Sequence, residues 1–485
     1  MLDSSVQGAE PEVTGPEVTG PILFARGADD RRYRLAALLV LPADRRPPAL
    51  EPEGGEPMLP IELDRKFGRT VWRYDFALPV GVEAGYRLGG REYRVATDLT
   101  DAARIAYVSC NGQESGDIRR PLDERNAMWR RLAAEHRRAP FSLLLQGGDQ
   151  LYADEVVNQH PGLRAWDRCR TAHKHRHEFT PEMREAAEHF YDGRYLTLFG
   201  QPGIAELCAR VPSLMMWDDH DILDGWGSHP MATQESPVGV GLFEVARRAF
   251  TLFQLGLSEA EAATAGASLG YAACFPGFTV VAPDLRSERR PDRVMGEAGW
   301  TNFEQALAAG EPGDRLILMS SVPALGPRLS WVERLMVVFP GIRKYKDDLR
   351  DQWQSRAHRT EWKRFLQALE RQAVDRGRRI TVVSGEIHLA TRGEMPFRDG
   401  SILHQLVASG IAHPAPPAGY AIGLGLLATL GEDPLPGQPI GLRPLPGRGW
   451  IYVAERNYLV LERGDGRWTA SWELESGGRT GALAV

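Results

Sequence analysis

The chain has 485 residues, of which 43% are hydrophobic and 25% charged, and its formal net charge is -6 at pH 7. This length is enough for roughly two to three domains, and the composition is ordinary for a globular protein. The negative charge argues against a basic surface that binds nucleic acid, and no block of lysine and arginine suggests a membrane surface. The four cysteines form no CxxC pair and predict no disulfide framework.

The N-terminal sequence MLDSSVQGAEPEV has neither a basic segment nor an apolar core, so it predicts no secretory signal. The longest apolar runs, such as AGYAIGLGLLATL at 418–430, are too short and glycine-rich to span a bilayer. We therefore expect a cytoplasmic protein with reduced thiols and no membrane segment. Residues 1–20 repeat the pentapeptide PEVTG and are predicted to be a flexible lead-in.

Residues 21–100 contain short β-like runs separated by loops rich in proline, glycine and glutamate. The runs lie at 33–40, 69–78 and 92–96, and apolar and polar residues alternate in VWRYDF at 71–76. Alternation of this kind is typical of half-buried strands. The segment is predicted to be a small β-domain of the sandwich kind.

The pattern changes near residue 101, where apolar strands begin to alternate with helices. A strand at 105–111 is followed by a predicted helix at 125–138 and by the strand that opens LLLQGGDQLYAD at 143–154. A strand, a helix and a second strand in this order predict a parallel pair. The segment at about 155–210, rich in charge and aromatic residues, is predicted to be a helical insertion over the strand ends.

Further strands also run directly into polar residues. The strand at 211–216 precedes Asp218, Asp219, His220 and Asp221; the strand at 278–282 precedes Asp284 and Arg286; the strand at 380–383 precedes Glu386 and His388. Other strands are indicated at 315–320, 402–407, 452–462 and 467–474, and helices at 243–255 and 359–376. Open sheets bind ligands at the carboxyl ends of their strands. The repeated pattern therefore predicts one shared active-site edge, with the segment at about 331–362 as a candidate lid.

The side chains at these strand ends are of the kinds that bind metal ions. Carboxylates suit Fe(III), Mn, Ca or Mg, whereas imidazole and thiolate favour Fe or Zn. Two ions about 3.5–4 Å apart can clamp a phosphate and activate water for in-line attack, and a nearby histidine can protonate the leaving oxygen. We interpret Asp149 as a metal ligand, bridging two ions, with Tyr152 in the same site.

Each candidate also has a purely structural explanation. An aspartate such as Asp149 is a common helix N-cap, a tyrosine such as Tyr152 commonly packs with its hydroxyl satisfied, and Cys110 is equally a small buried hydrophobe. Arg286 fits either a surface pair with Asp284 or bidentate contact with phosphate, and the second is favoured. The cluster of acids after the strand at 211–216 is harder to explain, because buried carboxylates repel one another without a cation.

Three motifs, GGDQLYAD, WDDHDILDGWGS and SGEIHLA, resemble in that order those of the metallophosphoesterase superfamily. The resemblance is specifically to its alkaline phosphatase D-like (PhoD-like) branch, and it covers roughly residues 104–461. The resemblance implies an α/β fold, with a metallophosphatase-type two-sheet sandwich flanked by helices. The small N-terminal β-domain precedes this core, which is predicted to occupy residues 101–485.

Carried over onto this sequence, the resemblance implies a set of metal ligands and a proton donor. The ligands are Asp149 as the bridging residue, Tyr152 as a tyrosinate, Cys110, Asp219, Glu386 and His388, and the proton donor is His220. The D-x-H and G-N-H motifs of the wider superfamily are absent. The resemblance therefore implies two or more metal ions, Fe(III) with Ca or another divalent ion, rather than the common zinc or manganese pair.

The sequence thus predicts hydrolysis of a small phosphate ester, monoester or diester, by a metal-activated hydroxide. His220 is the general acid, Arg286 neutralises the phosphate, and Asn111 contacts the substrate. A nucleotide pyrophosphohydrolase or another hydrolase on the same two-metal site is a first alternative, and a non-catalytic, metal-stabilised binding protein is a second. The histidine argues against the second alternative, because a structural metal site needs no proton donor.

Overall fold

The computed structural model describes residues 15–81, 83–112, 120–327, 352–385, 387–429 and 431–485. These residues form one sheet of eleven strands, a second of eight and a small third of three. The two large sheets pack face to face and carry helices on their outer faces. This arrangement is the helix-flanked α/β sandwich that the sequence predicts.

The strands of the described residues are numbered in chain order. They are β1 (Thr19–Ala28), β2 (Arg32–Pro42), β3 (Leu50–Pro52), β4 (Ile61–Lys66), β5 (Arg69–Pro79), β6 (Ala84–Leu88), β7 (Arg91–Val95), β8 (Arg104–Val108), β9 (Leu143–Gly147), β10 (Ser213–Met216), β11 (Tyr271–Phe275), β12 (Phe278–Ala282), β13 (Arg315–Ser320), β14 (Ile380–Ser384), β15 (Thr391–Pro396), β16 (Ile402–Val407), β17 (Glu432–Leu435), β18 (Gln438–Arg443), β19 (Asn457–Gly464), β20 (Arg467–Leu474), β21 (Gly478–Arg479) and β22 (Leu483–Ala484).

The α-helices of the described residues are numbered in the same way. They are α1 (Leu122–Arg125), α2 (Ala127–Arg138), α3 (Pro161–Arg168), α4 (Pro181–Phe199), α5 (Pro202–Cys208), α6 (Met231–Gln234), α7 (Pro237–Phe253), α8 (Glu259–Ala265), α9 (Glu297–Ala308), α10 (Arg359–Arg376) and α11 (Ala418–Ala428). None of them combines the length and the apolar composition that crossing a membrane requires.

The first sheet has the order β21-β20-β19-β8-β9-β10-β1-β2-β5-β4, with β22 paired to β20. At its centre β8, β9 and β10 are parallel, so their carboxyl ends lie at one edge. β1 then pairs in parallel with β10. The hydrogen-bonded sheet is therefore continuous from the N-terminal strands into the core, and the predicted domain boundary near residue 100 stays a prediction.

The second sheet has the order β11-β12-β13-β14-β16-β15-β18-β17, and β12, β13, β14 and β16 are parallel. Alternate side chains of each central strand point to opposite faces of its sheet. Thus Leu145 and Ile317 belong to the core between the two sheets, whereas Leu144 packs under the helices of the first sheet and Leu318 under those of the second.

The predicted insertion at about 155–210 is helical, as expected. It contains α3, α4 and α5 together with 3-10 turns at Asp154–Asn158 and Thr171–Arg176. The predicted strand at 452–462 begins only at Asn457, because the chain at Val453 makes an isolated bridge to Ala390 instead. Most of the candidate lid at 331–362 lies outside the described residues.

Candidate metal centre

The loops that follow β8, β9 and β10 meet at the carboxyl edge of the first sheet. The backbone N–H of Cys110 donates to the carbonyl of Gly148 at 3.1 Å, and that of Asn111 donates to the carbonyl of Asp149 at 2.8 Å. The loop after β10 carries Asp218 and Asp219. Adjacent parallel strands therefore bring together the residues that the sequence predicts to share a site.

The backbone turns sharply at three of the predicted ligands. Cys110, Asp149 and His388 have φ values of 53°, 54° and 52°, in the left-handed region. Residues other than glycine rarely adopt this region, and such strain tends to occur at functional sites. The sharp turns at the strand ends thus coincide with residues that were singled out on chemical grounds.

Three carboxylates form the centre of the site. Asp149, Asp218 and Asp219 each offer an oxygen atom, and these oxygens lie within 4.8 Å of one another. Asp149 is buried, and its Oδ1 has no hydrogen-bond partner among the described residues. Burial, and then the charges of Asp218 and Asp219, raise the pKa of Asp149 well above its ordinary value. A metal cation fits this cluster, because it would relieve the repulsion and satisfy the open oxygen.

Gly148 allows the two acidic loops to approach each other. Its φ is +102°, and a Cβ atom at this position would lie 2.9 Å from the Cβ of Asp218 and 3.2 Å from that of Ser321. At 2.9 Å the added atom or Asp218 must shift, and at 3.2 Å Ser321 must give way by a few tenths of an ångström. The glycine before Asp149 is therefore required for the close spacing of the carboxylates.

Tyr152 is buried beside the acids, with its ring stacked on His220 at a centroid distance of 4.3 Å. Its hydroxyl has no hydrogen-bond partner among the described residues. Burial, and then the charge of Asp149, raise the pKa of Tyr152 well above its ordinary value. The phenol therefore stays protonated unless a cation binds beside it, so its predicted role as a tyrosinate ligand depends on a metal.

Cys110 contacts both the acidic cluster and a later loop. Its thiol lies 3.4 Å from Oδ2 of Asp149, and its sulfur accepts a hydrogen bond from the hydroxyl of Ser409 at 3.1 Å. The same Ser409 hydroxyl accepts the backbone N–H of His388 at 2.9 Å. Ser409 follows β16 and was not predicted from the sequence, yet it connects two of the predicted ligands.

His388 stacks on a second histidine, His413, with a centroid distance of 3.6 Å and an interplanar angle of 8°. Its buried Nδ1 has no hydrogen-bond partner among the described residues. Burial, followed by the nearby His413 and His220, lowers the pKa of His388 well below its ordinary value. The imidazole is therefore neutral, which is the form that binds metals. Glu386, the other predicted ligand of this loop, lies outside the described residues.

His413 was also missed by the sequence reasoning. Its Nδ1 lies 2.7 Å from the carbonyl of Pro414, which fixes the hydrogen on that nitrogen. Burial lowers the pKa of His413 to about 4, so this imidazole is neutral too. The signal in the sequence is the strand at 402–407, because Ser409 and His413 lie within six residues of its end.

His220 is held by Asp154, the last residue of the GGDQLYAD motif. The Nδ1 atom lies 3.0 and 3.2 Å from the two carboxylate oxygens of Asp154. Because a carboxylate only accepts, Nδ1 carries a hydrogen and Nε2 is left for other partners. Burial lowers the pKa of His220, but Asp154 and Asp219 outweigh burial and raise it well above its ordinary value.

Two residues predicted to contact the substrate have their observed contacts within the protein. Arg286 is fully buried; its Nε donates to Asp218, its Nη1 donates to the carbonyl of Trp226 at 3.1 Å, and its Nη2 lies 3.5 Å from Asp219. Asn111 accepts a hydrogen bond from the indole of Trp129 at 2.5 Å. The guanidinium of Arg286 thus offsets part of the negative charge of Asp218 and Asp219. The substrate contacts of Arg286 and Asn111 stay predictions.

Comparison with known proteins gives a family match over more than half of the chain. A family model described as PhoD related phosphatase matches residues 72–345. The uncharacterized protein YGR266W of Saccharomyces cerevisiae is 24% identical over 522 residues, which cover 83% of this chain and 74% of that protein. A solved structure of PhoD superposes with a TM-score of 0.55 at 12% identity, covering 99% of this chain and 90% of that one. At this identity, the likeness to PhoD shows the fold alone.

Proposed function

The chain belongs to the PhoD related phosphatase family, and on this basis we propose that it hydrolyses a phosphate monoester or diester in a metal-dependent reaction. The observation that carries the proposal is the convergence of three carboxylates, Asp149, Asp218 and Asp219, within 4.8 Å at the strand ends. Metal ions, when bound, supply the positive charge that activates water and offsets the charge of the phosphate.

The ligand set proposed for these ions combines two kinds of donor. Tyr152, Cys110 and His388 offer a phenol, a thiol and a neutral imidazole, which together suit iron. Asp219, and Glu386 by the resemblance, offer the hard oxygens that suit Ca or another divalent ion. Asp149 is proposed to bridge the ions, which is supported by its Oδ1 atom without a hydrogen-bond partner among the described residues.

The electrostatics of the cluster support the need for cations. A phosphate ester is an anion, and like charges repel strongly where water is largely excluded. The guanidinium of Arg286 already pairs with Asp218. Cations beside Asp149 and Asp219 would therefore have to bind before the substrate does, and the proposed contact of Arg286 with phosphate would be additional.

His220 is proposed to protonate the leaving oxygen. The proposal is supported by the hydrogen bond from its Nδ1 to Asp154, which orients the ring and stabilises the protonated form. The proton that is transferred is then the one on Nε2. Stacking on Tyr152 holds the ring beside one of the proposed iron ligands.

The proposal is tested with p-nitrophenyl phosphate and bis(p-nitrophenyl) phosphate as monoester and diester probes. Wild-type protein should hydrolyse at least one of them, and removal of metal by a chelator should abolish hydrolysis reversibly. Replacement His220→Ala should lower kcat by about 10²–10⁴-fold, which is the usual contribution of a general acid, and leave the metal content near normal.

A matched control is His404→Ala. His404 also lies beside an acid, with its Nδ1 4.0 Å from Glu394, but it is near the start of β16, away from the strand ends. Its replacement should leave kcat unchanged. Undiminished hydrolysis by metal-free protein would end the proposal, and an unchanged kcat in His220→Ala would remove His220 as the acid.

A further inference from the structure

Asp221, the last acid of the DDHD sequence, accepts hydrogen bonds from two different loops. Its Oδ2 accepts the backbone N–H groups of Asp149 and Asp218, both at 2.9 Å. Its Oδ1 accepts the backbone N–H of Leu151 at 2.9 Å and the side-chain amide of Gln254 at 2.8 Å. One carboxylate thus ties the loop after β9 to the loop after β10.

These contacts distinguish Asp221 from the acids proposed to bind metal. A carboxylate has about four lone-pair sites, and the four N–H donors occupy them. Asp221 is completely buried, and it belongs to neither of the acidic clusters with metal-ligand spacing among the described residues. Each lone pair of the carboxylate therefore accepts a hydrogen bond from the protein, and neither oxygen is left to bind an ion.

We propose that Asp221 is a positioning residue, whose carboxylate sets the separation between Asp149 and the Asp218–Asp219 pair and so makes the metal centre. The inference rests on the proposed function, since it assigns Asp221 to the same site. It follows from the geometry of Oδ2, because this single oxygen atom accepts the backbone N–H groups of both Asp149 and Asp218. Residues that orient metal ligands typically change metal affinity by about 10–100-fold when they are replaced.

Gln254 fixes the orientation of the carboxylate from the helical side. It follows α7 and is buried, and its amide nitrogen donates both to Asp221 and to the hydroxyl of Tyr195 at 2.9 Å. The hydrogen bond between Gln254 and Asp221 can be reversed by substitution, so that position 221 donates and position 254 accepts. In Asp221→Asn, an N–H group takes the place of one oxygen and opposes some of the four donors.

The exchange predicts a specific rescue. In the double variant Asp221→Asn/Gln254→Glu, the new amide can donate to the new carboxylate at position 254. Its oxygen then faces the N–H groups of Asp149 and Asp218, and only the N–H of Leu151 loses its acceptor. In Gln254→Glu alone, two carboxylates face each other at about hydrogen-bond distance and repel.

The test measures binding of Mn²⁺ to metal-stripped full-length protein by the loss of the free-ion electron paramagnetic resonance signal. We expect Asp221→Asn and Gln254→Glu each to weaken the Mn²⁺ Kd by about 10–100-fold, and the double variant to recover most of this loss. A merely structural acid would show no such rescue of metal binding, because its effect would be on unfolding alone.

The matched control is Glu361→Gln. Glu361 also accepts three N–H groups, those of Val294 and Met295 and the indole of Trp300, at 2.6–2.9 Å, but none of them belongs to a predicted ligand. Its replacement should lower the Tm of the metal-free protein and leave the Mn²⁺ Kd unchanged.

The outcomes separate this inference from the proposed function. Wild-type protein that binds Mn²⁺ but hydrolyses no phosphate ester contradicts the function alone. A Kd for Asp221→Asn equal to that of wild type overturns the role of Asp221 and leaves the proposed function standing. If Asp221→Asn does not fold, a double variant that binds Mn²⁺ no better than Gln254→Glu overturns the inference.

Discussion

Adding one methyl group at Gly148 should disturb the site from within the turn that joins β9 to Asp149. Two costs arise in Gly148→Ala. The φ of +102° disfavours any side chain, at about 1–3 kcal/mol. The new Cβ would also lie 2.9 Å from that of Asp218, and such overpacking costs about 1–3 kcal/mol. The free energy of unfolding should therefore fall by about 2–6 kcal/mol.

Gly313→Ala separates the two costs. Gly313 has a φ of +83°, but a Cβ there would meet nothing within 4 Å. Its replacement should cost only the backbone strain, about 1–3 kcal/mol. Urea unfolding of metal-free protein measures both variants, and Mn²⁺ binding should weaken only in Gly148→Ala. Equal losses of stability in the two variants, or an unchanged Mn²⁺ Kd in Gly148→Ala, would refute the reasoning.

Three further predictions concern single side chains. Burial lowers the pKa of His136 from 6.5 to about 4, and its Nδ1 accepts the N–H of Phe141. The folded protein therefore favours the neutral imidazole, and the free energy of unfolding should fall by up to about 3 kcal/mol as the pH is lowered from 6.5 to 4. Urea unfolding at several pH values checks this, and an equal acid loss in His136→Gln would contradict it. Asp154→Asn should lower kcat at least about tenfold with unchanged metal content, because His220, the proposed general acid, loses its orienting partner. An unaltered kcat in steady-state assays would exclude this role of Asp154. Tyr152→Phe removes a buried hydroxyl without a partner among the described residues, so the metal-free protein should be as stable as wild type or about 1–3 kcal/mol more stable. Its metal affinity should fall. Calorimetry measures the stability and metal titration the affinity, and an unchanged affinity would argue against Tyr152 as a metal ligand.

Much of the fold follows from patterns along the chain. Buried runs such as those of β9 and β14 end in polar residues, and parallel pairing brings such ends to one edge. The consecutive apolar residues of β9, all buried, are typical of a strand that is covered on both faces, whereas the two-sheet arrangement was implied by the family resemblance. The connection of β1 to β10 was not predicted, because the pairing of distant strands leaves no mark in local periodicity.

The residues of the candidate site were predictable where they directly follow strands, as Asp149 and Asp218 do. Ser409 and His413 were missed because neither belongs to a motif, and only the fold brings them beside Cys110 and His388. The separate role of Asp221 was hidden in a run of acids whose backbone contacts the sequence does not reveal. The burial of Arg286 against Asp218 depends on the same tertiary packing.

The central claim is that Asp149 organises a metal centre on which phosphate-ester hydrolysis depends. Elemental analysis of purified wild-type protein and of Asp149→Asn, with hydrolysis rates from the same samples, tests it most directly. Asp192→Asn is the control, because Asp192 is a buried acid that pairs with Arg248 at 3.0 Å, away from the strand ends. Wild type and the control should hold metal and hydrolyse the ester, and Asp149→Asn should lose at least one ion together with activity. Full metal content and an undiminished rate in Asp149→Asn would contradict the account.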